Sequence, residues 1–242
     1  MKTRVIYISI PRNMISKITV LILFVFCVEG NSYGQETESL GWLFWSHEQK
    51  LSNKWQLSYD IQLRSSNNFK SAEVLLLRPG IGYKITGEQT ATAGYTFFGR
   101  WDAETGIKSY EPEHRIFEQY EIRHQIKKME VNHRVRLEQR FLDQNVFAQR
   151  LRYYVQGKFP FQVDSTFEKG IYASVQNEIF LNVQNKAEVN QSFFDQNRAY
   201  LGFGFKFNDQ YDLALGYMLL YLVKEKINNR SHIIQLSLKT SL

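Results

Sequence analysis

The segment from Trp55 to Arg64 alternates between apolar and polar side chains at every position. Successive side chains of a β-strand point to opposite faces, so this pattern predicts a strand with one apolar and one polar face. Segments of similar length and alternation recur along the rest of the chain, separated by polar connections. The repetition predicts an all-β protein in which consecutive strands pair antiparallel.

The first residues have the composition of an export signal. A basic leader precedes an apolar run at residues 18–28, which is interrupted by a single threonine. A run of this length suits a signal peptide. A membrane-spanning helix is longer, because it needs about 20 residues. We therefore expect residues 1–34 to be a signal peptide that is cleaved near Gln35, and residues 35–242 to form one domain.

The predicted mature chain has no cysteine, because Cys27 is the only one and lies inside the apolar run. Phe26 precedes it, where a lipoprotein signal would have a small residue. Disulfides, cysteine nucleophiles and cysteine-based metal sites are thus excluded. The net charge is +6, but basic residues stand at alternate strand positions instead of forming a compact run. We therefore expect no nucleic-acid partner.

The architecture that best fits these observations is a transmembrane β-barrel. A membrane helix shows about 18 continuous apolar residues, and no segment after the signal is apolar over such a length. Aromatic residues make up 15% of the chain and prolines number only four, as suits long paired strands with aromatic belts. With the export signal, this predicts an antiparallel up-and-down β-barrel in the outer membrane of a Gram-negative bacterium.

The number of strands is less closely defined. Eleven segments qualify as strands, whereas single-chain bacterial barrels normally have an even number. We expect 10 to 12 strands and favour 12. Short and long connections alternate, as periplasmic turns and external loops do in outer-membrane barrels. The connection at 162–170 is long where a short one is expected.

The polar face of the predicted strands combines many arginines with fewer acids and several glycines. Glycine weakens a strand, so a solvated outer face has little use for it, whereas inside a narrow barrel it makes room for large neighbours. This favours arginines inside and apolar residues outside, the reverse of a soluble β-barrel. The charged residues predicted to face the lumen are Asp60, Arg64, Arg78, Glu121, Arg123, Arg134, Arg136, Glu138, Arg140, Arg150, Arg152, Glu178 and Arg198.

Two roles remain open for this charged face. A barrel of this size has little free lumen once long side chains point inward, and paired charges would plug it. Alternatively, the excess of arginine over acid would form a basic constriction that admits small anionic solutes. We expect an integral outer-membrane barrel, structural or a narrow pore, with outer-membrane lipid as its partner. Protein partners are not indicated.

An outer-membrane lipid-modifying enzyme and a soluble periplasmic ligand-binding barrel are the alternatives. The five histidines stand in no motif that fixes a partner, and His133 falls on the apolar face by parity. Ser174 and Glu178 share a polar face, but such pairs are common on polar strands. No hydrolase, zinc-protease or nucleotide-binding motif is present. We therefore expect no catalytic residue, metal or cofactor, and favour a non-enzymatic role.

Several short motifs connect the chain to a known family. They are Gly41-Trp42, Lys50 to Trp55, Gln62 to Arg64, Gly82 to Lys84, Gly94-Tyr95 with Phe97, and His114 to Tyr120. They resemble the bacterial family known as domain of unknown function 2490, over most of the predicted mature chain. The resemblance implies an outer-membrane barrel and carries over no catalytic residues.

Overall fold

The computed structural model describes residues 36–101, 110–142, 146–161, 167–224 and 228–242. The predicted signal peptide and its cleavage site lie outside the described residues. Within these ranges no helix is long and apolar enough to cross a membrane.

Eleven β-strands make up most of the described chain. They are β1 (Glu36–Lys50), β2 (Trp55–Ser65), β3 (Ala72–Lys84), β4 (Gln89–Trp101), β5 (Tyr110–Ile126), β6 (Met129–Phe141), β7 (Phe147–Pro160), β8 (Gly170–Gln184), β9 (Phe194–Lys206), β10 (Tyr211–Leu222) and β11 (Asn229–Ser241). The described parts of the connections contain the single-turn 3₁₀ helices Asn67–Phe69 and Lys186–Glu188.

The strands form a closed barrel in which each strand pairs with its neighbours in sequence and β11 pairs with β1. The closing pair is parallel, with Glu36 opposite Asn229 and Glu48 opposite Ser241. Closure has to be parallel because, with an odd number of alternating strands, the first and the last run in the same direction.

The prediction of an all-β barrel of 10 to 12 strands is confirmed. The favoured count of 12 and a wholly antiparallel sheet are wrong for the barrel that the described residues form. The physical reason lies in the first strand. Residues 36–39 do not form a strand of their own but extend β1 in one continuous ladder with β11.

The connections differ in length between the two ends of the barrel. One end, here called the short-turn end, has the connections 51–54, 85–88, 127–128, 161–169 and 207–210. The other, here called the loop end, has 66–71, 102–109, 142–146, 185–193 and 223–228. The strand β11 finishes at the short-turn end.

The described part of the long connection at the short-turn end packs against β8 and β9 through Phe167. Its residue Phe167 is buried and meets the ring of Tyr172 edge-on, with 5.7 Å between the ring centroids. The Nζ atom of Lys206 donates a hydrogen bond of 2.7 Å to the backbone oxygen of Phe167. These contacts fix the end of the connection that leads into β8.

Apolar side chains cover the outside of the barrel. Leu201 and Leu215 are both 56% exposed, whereas Arg136 and Arg152, on the opposite strand face, are 5% and 4% exposed. A soluble barrel has its apolar face inside and its charges in water. The polarity of this barrel is therefore inverted, as the glycine and arginine pattern predicts.

Aromatic rings gather at both ends of the outer surface. The pairs Trp55–Tyr83 and Phe205–Phe207 lie at the short-turn end, and the pairs Trp101–Tyr110 and Phe141–Phe147 lie at the loop end. Aromatic girdles of this kind flank the apolar band of transmembrane barrels. Glu118, midway along β5, interrupts the apolar surface. Its Oε2 accepts a hydrogen bond of 2.9 Å from Nε2 of Gln139 on the neighbouring strand.

One side of the bore is apolar. Trp42, Tyr200, Met218, Leu220 and Ile233 form a buried cluster on β1 and β9–β11. The alternating apolar residues at the start of β1 therefore point into the bore and not toward the outside. Parity gives the two faces of β1, but its aromatic side chains suit either environment, so the sequence alone does not orient it.

The glycines of the bore make room for aromatic rings. A Cβ atom on Gly202 or Gly216 would overlap the ring of Tyr200, and one on Gly204 would overlap Tyr172. Phe117 lies in the same way over Gly94. At these four glycines the large neighbour is an aromatic ring and not an arginine, whereas Gly80 and Gly82 lie against Thr92 and Gln56.

Replacing Gly94 with alanine is expected to lower the free energy of unfolding by about 1–3 kcal/mol, the usual cost of overpacking. The new Cβ would lie 2.5 Å from the backbone oxygen of Pro79, which cannot rotate away. Urea unfolding of the barrel in lipid vesicles measures the change. Gly87→Ala is the control, because nothing lies within 4 Å of a Cβ there. Equal unfolding midpoints for the two variants would contradict the packing described here.

Candidate functional site

The charged residues predicted to face the lumen occupy bore-facing positions on β2, β3 and β5–β9. Most are buried by the barrel wall and by one another. Arg123 differs, because it lies at the short-turn mouth with 47% of its side chain exposed. The strands β5 to β8 carry the densest part of this charge and bring it together at the middle of the bore.

Glu138 on β6 is the centre of this cluster. Its carboxylate is fully buried and lies 2.7 Å from Nη2 of Arg150 and 2.5 Å from Nη1 of Arg152. Arg115 and Arg136 approach it at 4.0 Å and 3.9 Å. Four guanidinium groups thus surround one carboxylate. The negative charge of Glu138 offsets part of the repulsion between them.

Glu178 on β8 is the second acidic centre. Its Oε1 atom lies 2.7 Å from Nη2 of Arg152 and 2.8 Å from Nη2 of Arg134. Arg198 on β9 approaches Oε2 at 4.0 Å. Arg152 contacts both Glu138 and Glu178, so it joins the two centres into one network. We call Arg134, Arg136, Glu138, Arg152 and Glu178 the charged layer.

Two acids of this network are not among the predicted residues. Glu113 accepts hydrogen bonds from Arg115 and Arg140, at 2.8 Å and 2.6 Å. It lies near the start of β5, and Glu111 and Pro112 obscure the alternation there. Glu113 stands two residues before Arg115, so continuing the alternation backward from Arg115 would have placed Glu113 on the bore-facing side of the strand.

Asp195 is the other missed acid, and its Oδ2 atom lies 2.8 Å from Nη1 of Arg150. The β8–β9 register shifts between Phe180 and Leu181, opposite this part of β9. Asp195 and its neighbour Gln196 are consequently both buried. Such a bulge breaks the parity that sequence analysis relies on, so no alternation pattern marks Asp195 as facing the bore.

Arginines of the bore that lack a close carboxylate lie over aromatic rings. The guanidinium carbon of Arg64 lies 3.9 Å from the ring centre of Trp42, and that of Arg198 lies 5.2 Å from the same ring. Arg198 is also 4.5 Å from the ring centre of Phe180. A cation over an aromatic face is stabilised by the ring quadrupole, most strongly where water is excluded.

Ion pairs also reach across the bore at the short-turn end. Arg123 on β5 lies 2.7 Å from Glu48 on β1, and Lys158 on β7 lies 2.5 Å from Asp212 on β10. The hydroxyl group of Tyr172 donates a hydrogen bond to Asp212. Since these strands are not neighbours in the sheet, the side chains narrow the passage and do not merely line it.

The charged layer separates two cavities. The cavity at the short-turn end has a volume of about 780 Å³ and that at the loop end about 690 Å³. Residues 130–132 of β6 line the first and Arg140 lines the second, while residues 134–138 line neither. The bore is therefore wide at both mouths and filled at mid-height.

His133 and Ser174, the residues considered above for catalysis, contact neutral side chains. No group of three His, Cys, Asp or Glu side chains in these ranges could hold a metal ion. The histidines occupy outer-face positions of their strands; His133, for example, stacks on His124 and lies 2.9 Å from the hydroxyl of Tyr153. The Oγ atom of Ser174 contacts the side-chain amides of Gln156 and Gln176, not an imidazole.

Comparisons with known proteins place the chain in a family. A search of curated proteins gave no match. LpxR from Salmonella typhimurium is a solved structure that is similar over 76% of this chain and 83% of that one, with 11% sequence identity and a TM-score of 0.42. The family model described as "Protein of unknown function (DUF2490)" matches residues 40–231, a range that contains the whole charged layer. The chain therefore belongs to the DUF2490 family.

Proposed function

We propose that this protein is an integral outer-membrane β-barrel whose bore is closed at mid-height by the charged layer. The inverted polarity is the observation that carries the proposal. Exposed apolar side chains such as Leu215 are unfavourable in water, at roughly 25 cal/mol for each Å² of apolar surface, but favourable against lipid. Buried charges such as Glu138 need the partners that the bore provides.

The proposal includes export and location. Residues 1–34 direct the chain across the inner membrane and are removed near Gln35, which leaves residues 35–242 as the barrel domain in the outer membrane of a Gram-negative bacterium. Outer-membrane lipid is the partner of the outer surface. The aromatic pairs at both ends of the barrel support this, since girdles of such rings lie at the two interfaces of a bilayer.

A closed bore is favoured over an open pore by the density of contacts at mid-height. Glu138 is fully buried, and Arg152 bridges Glu138 and Glu178 at 2.5 Å and 2.7 Å. An ion that crossed the bore would have to displace these short pairs. The second candidate is a narrow anion-selective path, favoured by the excess of arginine over acid at the loop end.

Planar-bilayer recording distinguishes a closed barrel from an anion pore. We expect purified protein to insert, to migrate differently on a detergent gel before and after boiling, and to give no steady open-channel current. The crowded charged layer is the physical reason. A steady anion-selective current that changes in the Arg134→Ala, Arg136→Ala double variant would contradict a closed bore. It would support the anion-selective pore instead. Extraction of the protein from membranes by carbonate alone would contradict insertion.

A further inference from the structure

The cavity at the loop end has a marked excess of positive charge. Among the described residues, nine basic and four acidic side chains line it. The cavity at the short-turn end is lined by four basic and five acidic side chains. In the described part of the chain, the excess of positive charge is therefore confined to one of the two cavities of the bore.

Arg64 lines the loop-end cavity and makes no ion pair with a described acid. Its Nε and Nη2 atoms donate hydrogen bonds of 3.1 Å and 2.7 Å to the neutral amide oxygen of Gln62. The guanidinium carbons of Arg64 and Arg198 lie 3.9 Å and 5.2 Å from the ring centre of the same residue, Trp42. The fold thus holds these two guanidinium ions close together against their mutual repulsion.

Two further guanidinium groups of this cavity are incompletely paired. Arg140 is 7% exposed, and its Nη1 atom has no hydrogen-bond partner among the described residues. Arg198 donates its hydrogen bonds to the neutral Gln196, and Glu178 is 4.0 Å away. A buried donor without a partner costs free energy, as does a charge whose nearest carboxylate is 4.0 Å away, so a bound anion would stabilise this end of the barrel.

We propose that the loop-end cavity binds a multiply charged oxyanion of the phosphate class. The planar fork of a guanidinium group matches the oxygens of a phosphate, and several forks around one cavity bind it better than they bind a halide. The volume of about 690 Å³ admits a phosphoryl group together with part of the molecule that carries it. A soluble phosphate compound and the phosphorylated headgroup of a lipid share this chemistry.

Thermal unfolding of the full-length mature barrel in zwitterionic micelles tests the proposal. Folded and unfolded protein are separated on a detergent gel, with inorganic pyrophosphate as the probe and sodium chloride at equal ionic strength as the salt control. An anion that binds only the folded state raises the midpoint as its concentration rises. We expect pyrophosphate to raise the midpoint more than sodium chloride does.

The variant Arg64→Gln locates the site. It removes a cation that makes no ion pair with a described acid, so the barrel should fold, and we expect pyrophosphate to bind about tenfold more weakly, as for the loss of one charge-assisted contact. Lys206→Gln is the control at the opposite cavity. Because it also removes the ion pair with Asp209 and the hydrogen bond to Phe167, the effect of pyrophosphate is measured against the midpoint of this variant without the anion. Its affinity for pyrophosphate should equal that of the unsubstituted protein.

A second arm identifies the source of the anion. Micelles doped with lysophosphatidic acid replace pyrophosphate, and stabilisation by this lipid alone would assign a headgroup as the ligand. No stabilisation beyond that of sodium chloride in either arm would overturn the proposal, as would equal affinity in Arg64→Gln. The inference rests on one part of the proposed function, the barrel and its bore, and does not require membrane insertion. Release of the protein by carbonate, with pyrophosphate binding retained, would refute membrane insertion and leave the anion site standing.

Discussion

Replacing Glu138 with glutamine is expected to lower the free energy of unfolding by about 3–5 kcal/mol, the range found when one partner of a buried ion pair is removed. The substitution keeps the shape of the side chain but removes its charge. Arg150 and Arg152 would lose a carboxylate at 2.7 Å and 2.5 Å, and the four arginines around it would repel one another. Urea unfolding of the barrel in lipid vesicles measures the loss.

The control for this prediction is Glu88→Gln. Glu88 is exposed in a turn at the short-turn end, so its neutralisation should change the unfolding free energy by less than about 0.5 kcal/mol, as for ordinary surface substitutions. If Glu138→Gln were as stable as Glu88→Gln, the charged layer would not hold the bore together, and its closing role would have to be abandoned.

Replacing Leu215 with arginine is expected to destabilise the inserted barrel by about 2–4 kcal/mol, the cost of an arginine that faces lipid near the bilayer midplane. Leu215 is 56% exposed on β10, and its register neighbours Phe203 and Leu236 are exposed apolar residues as well. The same unfolding experiment in vesicles measures the effect. In water, a surface arginine at this position would cost almost nothing.

Leu242→Arg provides the matched control for depth. Leu242 follows the last residue of β11 at the short-turn end and is also exposed. An arginine near the interface costs only about 0–1 kcal/mol in a transmembrane barrel. Equally small losses for the two variants would show that the apolar surface faces water, and the membrane proposal would fail while the barrel fold remained.

The alternation of side chains is a local property, and it allowed much of the fold to be predicted. Trp55 to Arg64 forms β2 without interruption, and the arginines at alternate positions of β6 and β7 share one face. Glycines on that face indicated large neighbours in a confined space, and Gly204 against Tyr172 is such a contact. Each of these features depends only on the period of two along a strand.

The charged cluster was predictable as a set of residues but not as a set of pairs. Parity places Arg150, Arg152 and Glu138 on one face, but the β6–β7 and β7–β8 registers decide that Arg152 reaches Glu138 and Glu178 together. The bulge beside Asp195 shifts the parity by one residue, and no residue type marks that position. Register and bulges are set by the partner strands, which a single alternating segment does not encode.

Within a strand that has no bulge, the spacing of residues along the chain was enough to tell which side chains share a face, because that follows from the geometry of an extended chain. The tertiary structure alone decided that eleven strands close through a parallel pair and that Arg123 meets Glu48 across the bore. Both depend on how many strands the closing sheet takes in and how far they are staggered, since these two quantities fix the diameter of a barrel. They are properties of the whole sheet, and no local stretch of residues contains them.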